Sequence, residues 1–199
     1  YTTDTKAGLK TPGGLTDTTP NLPQTILDAM RVTREVGLRY IWIDALCITQ
    51  DDDQDKAQII SKMGTIYGNA SFTIMASTNS NPTDGLPGVG VPRSRAQIME
   101  KIQGMPLGVA LYDGRLRHSE IEDGLWNSRA WTFQERALSR KAVFFTASQM
   151  CFVCPHGAAF EDTVAVPDPD YKPTPLNNAS QLSSKVPRLQ DIWIRVWSD

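Results

Sequence analysis

A short β-branched and aromatic run, Tyr40-Ile41-Trp42-Ile43-Asp44, lies between two stretches of helical periodicity. This arrangement constrains the fold more than any other feature of the chain. Upstream, Pro23 suits a first helical position, and Ile26, Leu27, Met30 and Thr33 recur at helical spacing. Arg31 and Arg34 favour the C-terminal end of that helix, and Gly37 can adopt the left-handed stop. Downstream, Asp51-Asp52-Asp53 opens a second helix with Ile59, Ile60, Met63, Ile66 and Tyr67 on one face and Gly68-Asn69 at its end. Ser71 to Ala76 reads as a second strand. Helix, strand, helix, strand predicts an α/β fold with a mostly parallel sheet flanked by helices.

Further along, residues 77–95 form a Pro/Gly loop, Leu107 to Tyr112 reads as a strand, and Leu125 to Leu138 reads as a helix. Lys141–Thr146 and Gln149–Val153 are spaced for an added hairpin. Residues 1–14 read as a flexible lead-in, 15–160 as the folded domain, 161–187 as a Pro/Ser/Asn-rich linker and 188–199 as the start of a further element. The charge balance, 20 Lys+Arg against 22 Asp+Glu, argues against a general nucleic-acid binder. No apolar run reaches the roughly 20 residues needed to span a bilayer, and three cysteines are too few for a disulfide framework. Composition therefore predicts a soluble, cytoplasmic domain.

Several motifs fail on spacing. Gly85-Leu-Pro-Gly88-Val-Gly90 lacks the third glycine of a dinucleotide fingerprint, because position 93 is Arg, so it reads as a surface loop. Asp51, Asp53 and Asp55 begin like a calcium loop, but Lys56 and Lys62 stand where Gly and Glu are required. Cys151-x-x-Cys154-x-His156 lacks a second ligand pair for zinc, with Cys47 and His118 the only spare soft ligands, and its strand-like middle does not suit a redox pair. No metal or bound cofactor is expected.

Two carboxylates stand out. Asp44 ends the apolar strand, and ligands in open α/β sheets bind beyond the carboxyl ends of strands. The plainer alternative is an acid that caps nearby backbone. Glu135 follows Trp131 by four residues, with Arg129 nearby. A carboxylate against an aromatic wall can serve as acid, base or oxocarbenium stabiliser. The plainer alternative is a core Trp beside a surface ion pair, and chemistry alone favours it.

The blocks Leu22–Met30 and Val32–Asp51 together resemble the first large block of the fungal HET (heterokaryon incompatibility) domain. Met63–Ile74 resembles its second block and Leu125–Arg140 its third, in the same order and spacing. The resemblance implies an effector of fungal non-self recognition that triggers programmed cell death. It implies a TIR-like, flavodoxin-like fold and, by remote TIR similarity, cleavage of NAD as a substrate. On that reading Glu135 and Asp44 are the catalytic carboxylates, and Arg129 and Trp131 bind substrate. It also implies protein partners, either a second copy or an incompatibility receptor. The alternatives are a non-enzymatic self-associating module or an inactive fragment. The family's opening Ser-Tyr-x-Trp-Gly-like strand has no counterpart in residues 1–20, and Met150-Cys151-Phe152 replaces a strand-ending tryptophan. These departures imply an N-terminally incomplete domain.

Overall fold

The computed structural model describes residues 1–16, 19, 21–77, 81, 83–95, 98–108, 120–121, 130–161 and 194–195. Its centre is strand β5 (Ala142–Phe145), the sequence Ala-Val-Phe-Phe, buried at every position. Successive side chains of a strand alternate faces. Val143 and Phe145 accordingly pack with Ala29, Met30, Ile41 and Leu86 on one side. Ala142 and Phe144 pack with Met75 and Cys151 on the other. Burial on both faces is why the strand reads as an unbroken apolar run.

Strand β5 sits inside a four-stranded sheet ordered β2-β5-β6-β7, with β2 at Thr73–Ala76, β6 at Met150–Cys154 and β7 at Gly157–Phe160. Only β2 runs parallel to β5, and the β5–β6 and β6–β7 pairs are antiparallel. The expected mostly parallel order is therefore corrected to a mixed sheet. The reason lies in the connections. A turn pinned by Thr146 Oγ1 donating to the Gln149 carbonyl at 2.8 Å joins β5 to β6, and so short a link permits only antiparallel pairing. Between β2 and β5 the chain is long enough for a crossover, which includes helix α6 (Ala130–Leu138). The expected hairpin at 141–153 is present, and β7 extends it.

Helix α2 (Gln24–Glu35) lies where the periodicity placed it. The second helix divides in two, α4 (Asp53–Ile60) and α5 (Met63–Asn69). Asp52 caps α4, its carboxylate accepting from the backbone of Gln54 and Asp55 at 3.0 Å each. The strand expected at Tyr40–Asp44 shortens to β1 (Tyr40–Ile41), which pairs antiparallel with β8 (Ile194–Arg195) outside the four-stranded sheet. The Ile43 carbonyl accepts from Leu46 and Cys47 N–H, and this turns the chain into helix α3 (Asp44–Cys47). Asp44 thus begins a helix and does not end a strand.

Thr3–Leu9 form helix α1 where composition reads as a lead-in. Thr3 donates its backbone N–H to Asp51 at 2.8 Å and its hydroxyl to the same carboxylate. The strand read at 107–112 corresponds to β4 (Met105–Gly108), paired with β3 (Met99–Ile102), and its remainder lies outside the described residues. The same holds for the N-terminal part of the helix read at 125–138 and for the 163–187 linker.

The glycine loop is not the plain surface loop that its composition suggests. Leu86 is fully buried in the central core. Its N–H donates to the Asp28 carboxylate at 2.7 Å, and Gln24 Nε2 donates to the other oxygen at 2.8 Å. A Cβ at Gly90 would run into that carboxylate, and Gly85 (φ 75°) holds a conformation that favours glycine. The loop wraps a buried acid on α2 and inserts Leu86 beneath it.

Candidate functional site

A cavity of about 450 Å³ opens between α2, the β1–α3 segment, α5, β2 and α6. Its α2 wall is Thr25, Ile26, Ala29 and Thr33, and Phe72, Ile74 and Ala76 add an apolar floor. Its charged and phenolic groups are Arg39, Tyr40, Asp44, Tyr67 and Glu135, and Asn69, Ser71 and Thr73 add further polar atoms. A largely apolar cleft with few polar groups is the usual form of a small-molecule site, and the volume falls in the ordinary range of roughly 300–1,000 Å³.

Asp44 and Glu135, both singled out in the sequence, line this one cavity although 91 positions separate them (135 minus 44). Asp44 is exposed at the first position of α3, and its Oδ1 accepts from Ala45 N–H at 2.6 Å. Glu135 is half-buried in the last turn of α6. Its main chain is tied to the sheet. Ser139 Oγ donates to the Glu135 carbonyl at 2.6 Å and lies 2.6 Å from Thr73 Oγ1 on β2. Ser139 has a single hydroxyl proton, so Thr73 is the donor in that second bond.

Tyr67 joins the two carboxylates electrostatically. Only 7% of it is exposed, and its ring meets Trp42 edge-on, with centroids 5.6 Å apart at 77°. Burial pushes its phenol well above the ordinary tyrosine range. The negative charges of Glu135 and Asp44, and the hydrogen bond that the hydroxyl donates to Glu135, push it further the same way. Trp42 Nε1 is buried and finds no acceptor among the described residues.

Arg129 and the side chain of Trp131 lie outside the described residues. Sequence reasoning placed Tyr67 on an apolar helix face and Trp42 in a strand, and missed that both wall the cavity. A signal was available: a tyrosine on a buried face must give its hydroxyl a partner. Cys151 and Cys154 alternate to opposite faces of β6, which separates the thiols. Among the described residues no group of His, Cys, Asp and Glu is arranged to hold a metal.

An α/β domain with a cleft that two acids help to line is the class this geometry defines. Residues 3–135 match the family model described as Heterokaryon incompatibility protein (HET). The chain belongs to that family, and the family places it in heterokaryon incompatibility. Neither a curated protein nor a solved structure matches it. No helix among the described residues is long and apolar enough to cross a membrane.

Proposed function

We propose that the domain is a cytoplasmic effector of fungal non-self recognition that drives cell death by hydrolysing NAD in the cavity lined by Asp44 and Glu135. The observation that carries this reading is the convergence of two carboxylates from distant segments on one partly apolar cleft. NAD hydrolysis suits such a site. The bond between the ribose anomeric carbon and the nicotinamide nitrogen breaks, and its electron pair leaves with nicotinamide. Because that nitrogen is a pyridinium, the leaving group departs neutral and needs no acid. The ribose carbon becomes oxocarbenium-like, which a nearby carboxylate stabilises. Water then attacks and gives up one proton, leaving ADP-ribose, nicotinamide and a proton.

Glu135, the half-buried carboxylate, is assigned to the oxocarbenium, because its charge is less screened there. Asp44, exposed at the rim, is assigned to the incoming water. Arg129 is the proposed phosphate contact and Trp131 the proposed stacking surface. A TIR-like relationship and activation through self-association or an incompatibility receptor belong to the same reading.

The test is to incubate the chain with NAD and follow nicotinamide release, alongside Glu135→Gln. Loss of roughly 100-fold or more in turnover by Glu135→Gln is expected. In parallel, wild type and the variant are expressed in fungal cells and scored for death and NAD level together. Killing by Glu135→Gln at unchanged NAD would overturn the enzymatic reading in favour of a non-enzymatic signalling module.

A further inference from the structure

We propose that the cavity is a binding site for a flat organic cation, and that it takes a positively charged pyridinium ring in preference to the neutral ring of the same shape. The proposal deepens the reading of the cavity as the site of NAD hydrolysis, and its test separates the two.

Charge sets the sign of the ligand. Among the described residues that line the cavity, Asp44 and Glu135 are negative and Arg39 is positive. Arg39 and Asp44 are exposed, so water screens both, whereas Glu135 is half-buried. Attraction between opposite charges grows as water is excluded, so Glu135 sets the potential of the interior. The cavity therefore favours a cation both by count and by depth.

The walls point the same way. Trp42, Tyr67, Tyr40 and Phe72 all line the cavity. The Trp42 and Tyr67 rings meet at 77° with centroids 5.6 Å apart, which gives the wall an aromatic corner. Aromatic faces carry partial negative charge and attract cations. The corner is firmly held, since Tyr67 is almost wholly buried and Trp42 packs on the Ile48, Ile59 and Ile66 cluster. An inorganic ion would need several oxygen ligands, and the floor of Phe72, Ile74 and Ala76 supplies apolar side chains instead. A flat cation with its charge spread over a ring suits that floor.

This preference bears on turnover. When the bond from the ribose carbon to the ring nitrogen breaks, its electron pair returns to the nitrogen, and the ring that entered positive leaves neutral. Nicotinamide then lacks both attractions that held the substrate's ring, so the reaction itself favours release. The dihydropyridine ring of NADH is neutral and is disfavoured on the same ground.

The experiment measures the affinity of two probes for the full chain by isothermal titration calorimetry. One is 1-methylnicotinamide, a flat cation, and the other is nicotinamide, its neutral counterpart. Neither has a glycosidic bond, so binding is read without hydrolysis. The cation should bind about tenfold more tightly. Glu135→Gln removes the charge and keeps the shape, and it should erase most of that preference while leaving nicotinamide affinity unchanged. Asp44→Asn should weaken the cation about threefold, the smaller effect of an exposed charge.

Equal affinity for the two probes, or no binding of either, overturns the proposal even if wild type releases nicotinamide from NAD. A preference that survives both substitutions places the cation elsewhere and overturns it too. Should Glu135→Gln not fold, Asp44→Asn decides, because Asp44 is exposed and its replacement leaves the core untouched. Unchanged cation affinity in Asp44→Asn then overturns the proposal. A preference lost in Glu135→Gln, with no nicotinamide release from NAD by wild type, upholds the cation site and overturns NAD hydrolysis.

Discussion

Replacing Asp28 separates two accounts of how the glycine loop is held. The carboxylate is 2% exposed and accepts one bond from Leu86 N–H and one from Gln24 Nε2. Asp28→Ala removes both. Gln24 is only partly buried and can turn to water, but the Leu86 N–H stays buried and unpaired. An unpaired buried donor costs about 1–3 kcal/mol, and the second bond adds about 1. A loss of about 3 kcal/mol lowers Tm by roughly 6–12 °C in a chain of this size. Asp28→Asn behaves differently. Its oxygen still accepts from Leu86, and its amide nitrogen can donate to Gln24 once that side chain flips. The expected cost is below about 1 kcal/mol. Thermal and urea melts followed by circular dichroism measure both variants, and tryptic cleavage after Arg93 or Arg95 reports the loop locally. If Asp28→Ala melts within about 2 °C of wild type, the acid does not hold the loop. If Asn is as damaging as Ala, charge rather than hydrogen bonding is what matters, and the reasoning is refuted.

Two further outcomes follow from the same kind of geometry. Ser139→Ala removes the partner of the partly buried Thr73 hydroxyl and unties the last turn of α6, so urea melts should show a loss of about 1 kcal/mol. Thr73→Val should cost little more in that background, because the two side chains act as one unit. Helix α1 should also detach in acid. Bonds from the Thr3 side chain and backbone hold the Asp51 carboxyl below its ordinary value of 3.8, and Thr49, with Lys6 adding attraction, does the same for Asp55. A depressed folded-state value contributes stability that is fully present above 3.8 and lost as pH falls through the lowered value. Backbone amide exchange in residues 3–9 should therefore rise below about pH 4 while exchange in β5 stays slow. Equal protection of α1 at pH 3 and pH 6 would contradict this.

The sequence was most readable where structure is local. The apolar spacing from Ile26 to Thr33 placed α2, and the run from Ala142 to Phe145 placed the central strand, because both depend on periodicity within one element. Readability failed where a distant partner decides the outcome. Leu86 looks like a loop residue until Asp28, 58 positions earlier, accepts its N–H. The Tyr40–Asp44 run has the composition of a core strand. Its N-terminal pair finds β8 and its last residue enters a helix, which composition cannot specify. The parallel order was inferred from alternating helices and strands in the first half. It fails in the second half because the β5–β6 and β6–β7 links are too short for crossovers. For the site, the two carboxylates were identifiable as residues. Their meeting in one cavity was not, and neither was the tyrosine between them.

The placement of Glu135 bears on whether the cavity exists for stability or for chemistry. The C-terminal end of a helix carries partial negative charge and favours cations, and α6 supplies one there in Arg136. Glu135 occupies the same turn with the opposite sign. It faces a cavity that also contains the exposed Asp44, and its own partial burial limits how far water can screen its charge. A helix end selected only for stability would carry Gln or Lys at this position. Ser139, itself bonded to Thr73 on β2, anchors the Glu135 carbonyl, and the buried Tyr67 phenol lines the same cavity. An unfavourably placed charge held by its neighbours marks a candidate functional group.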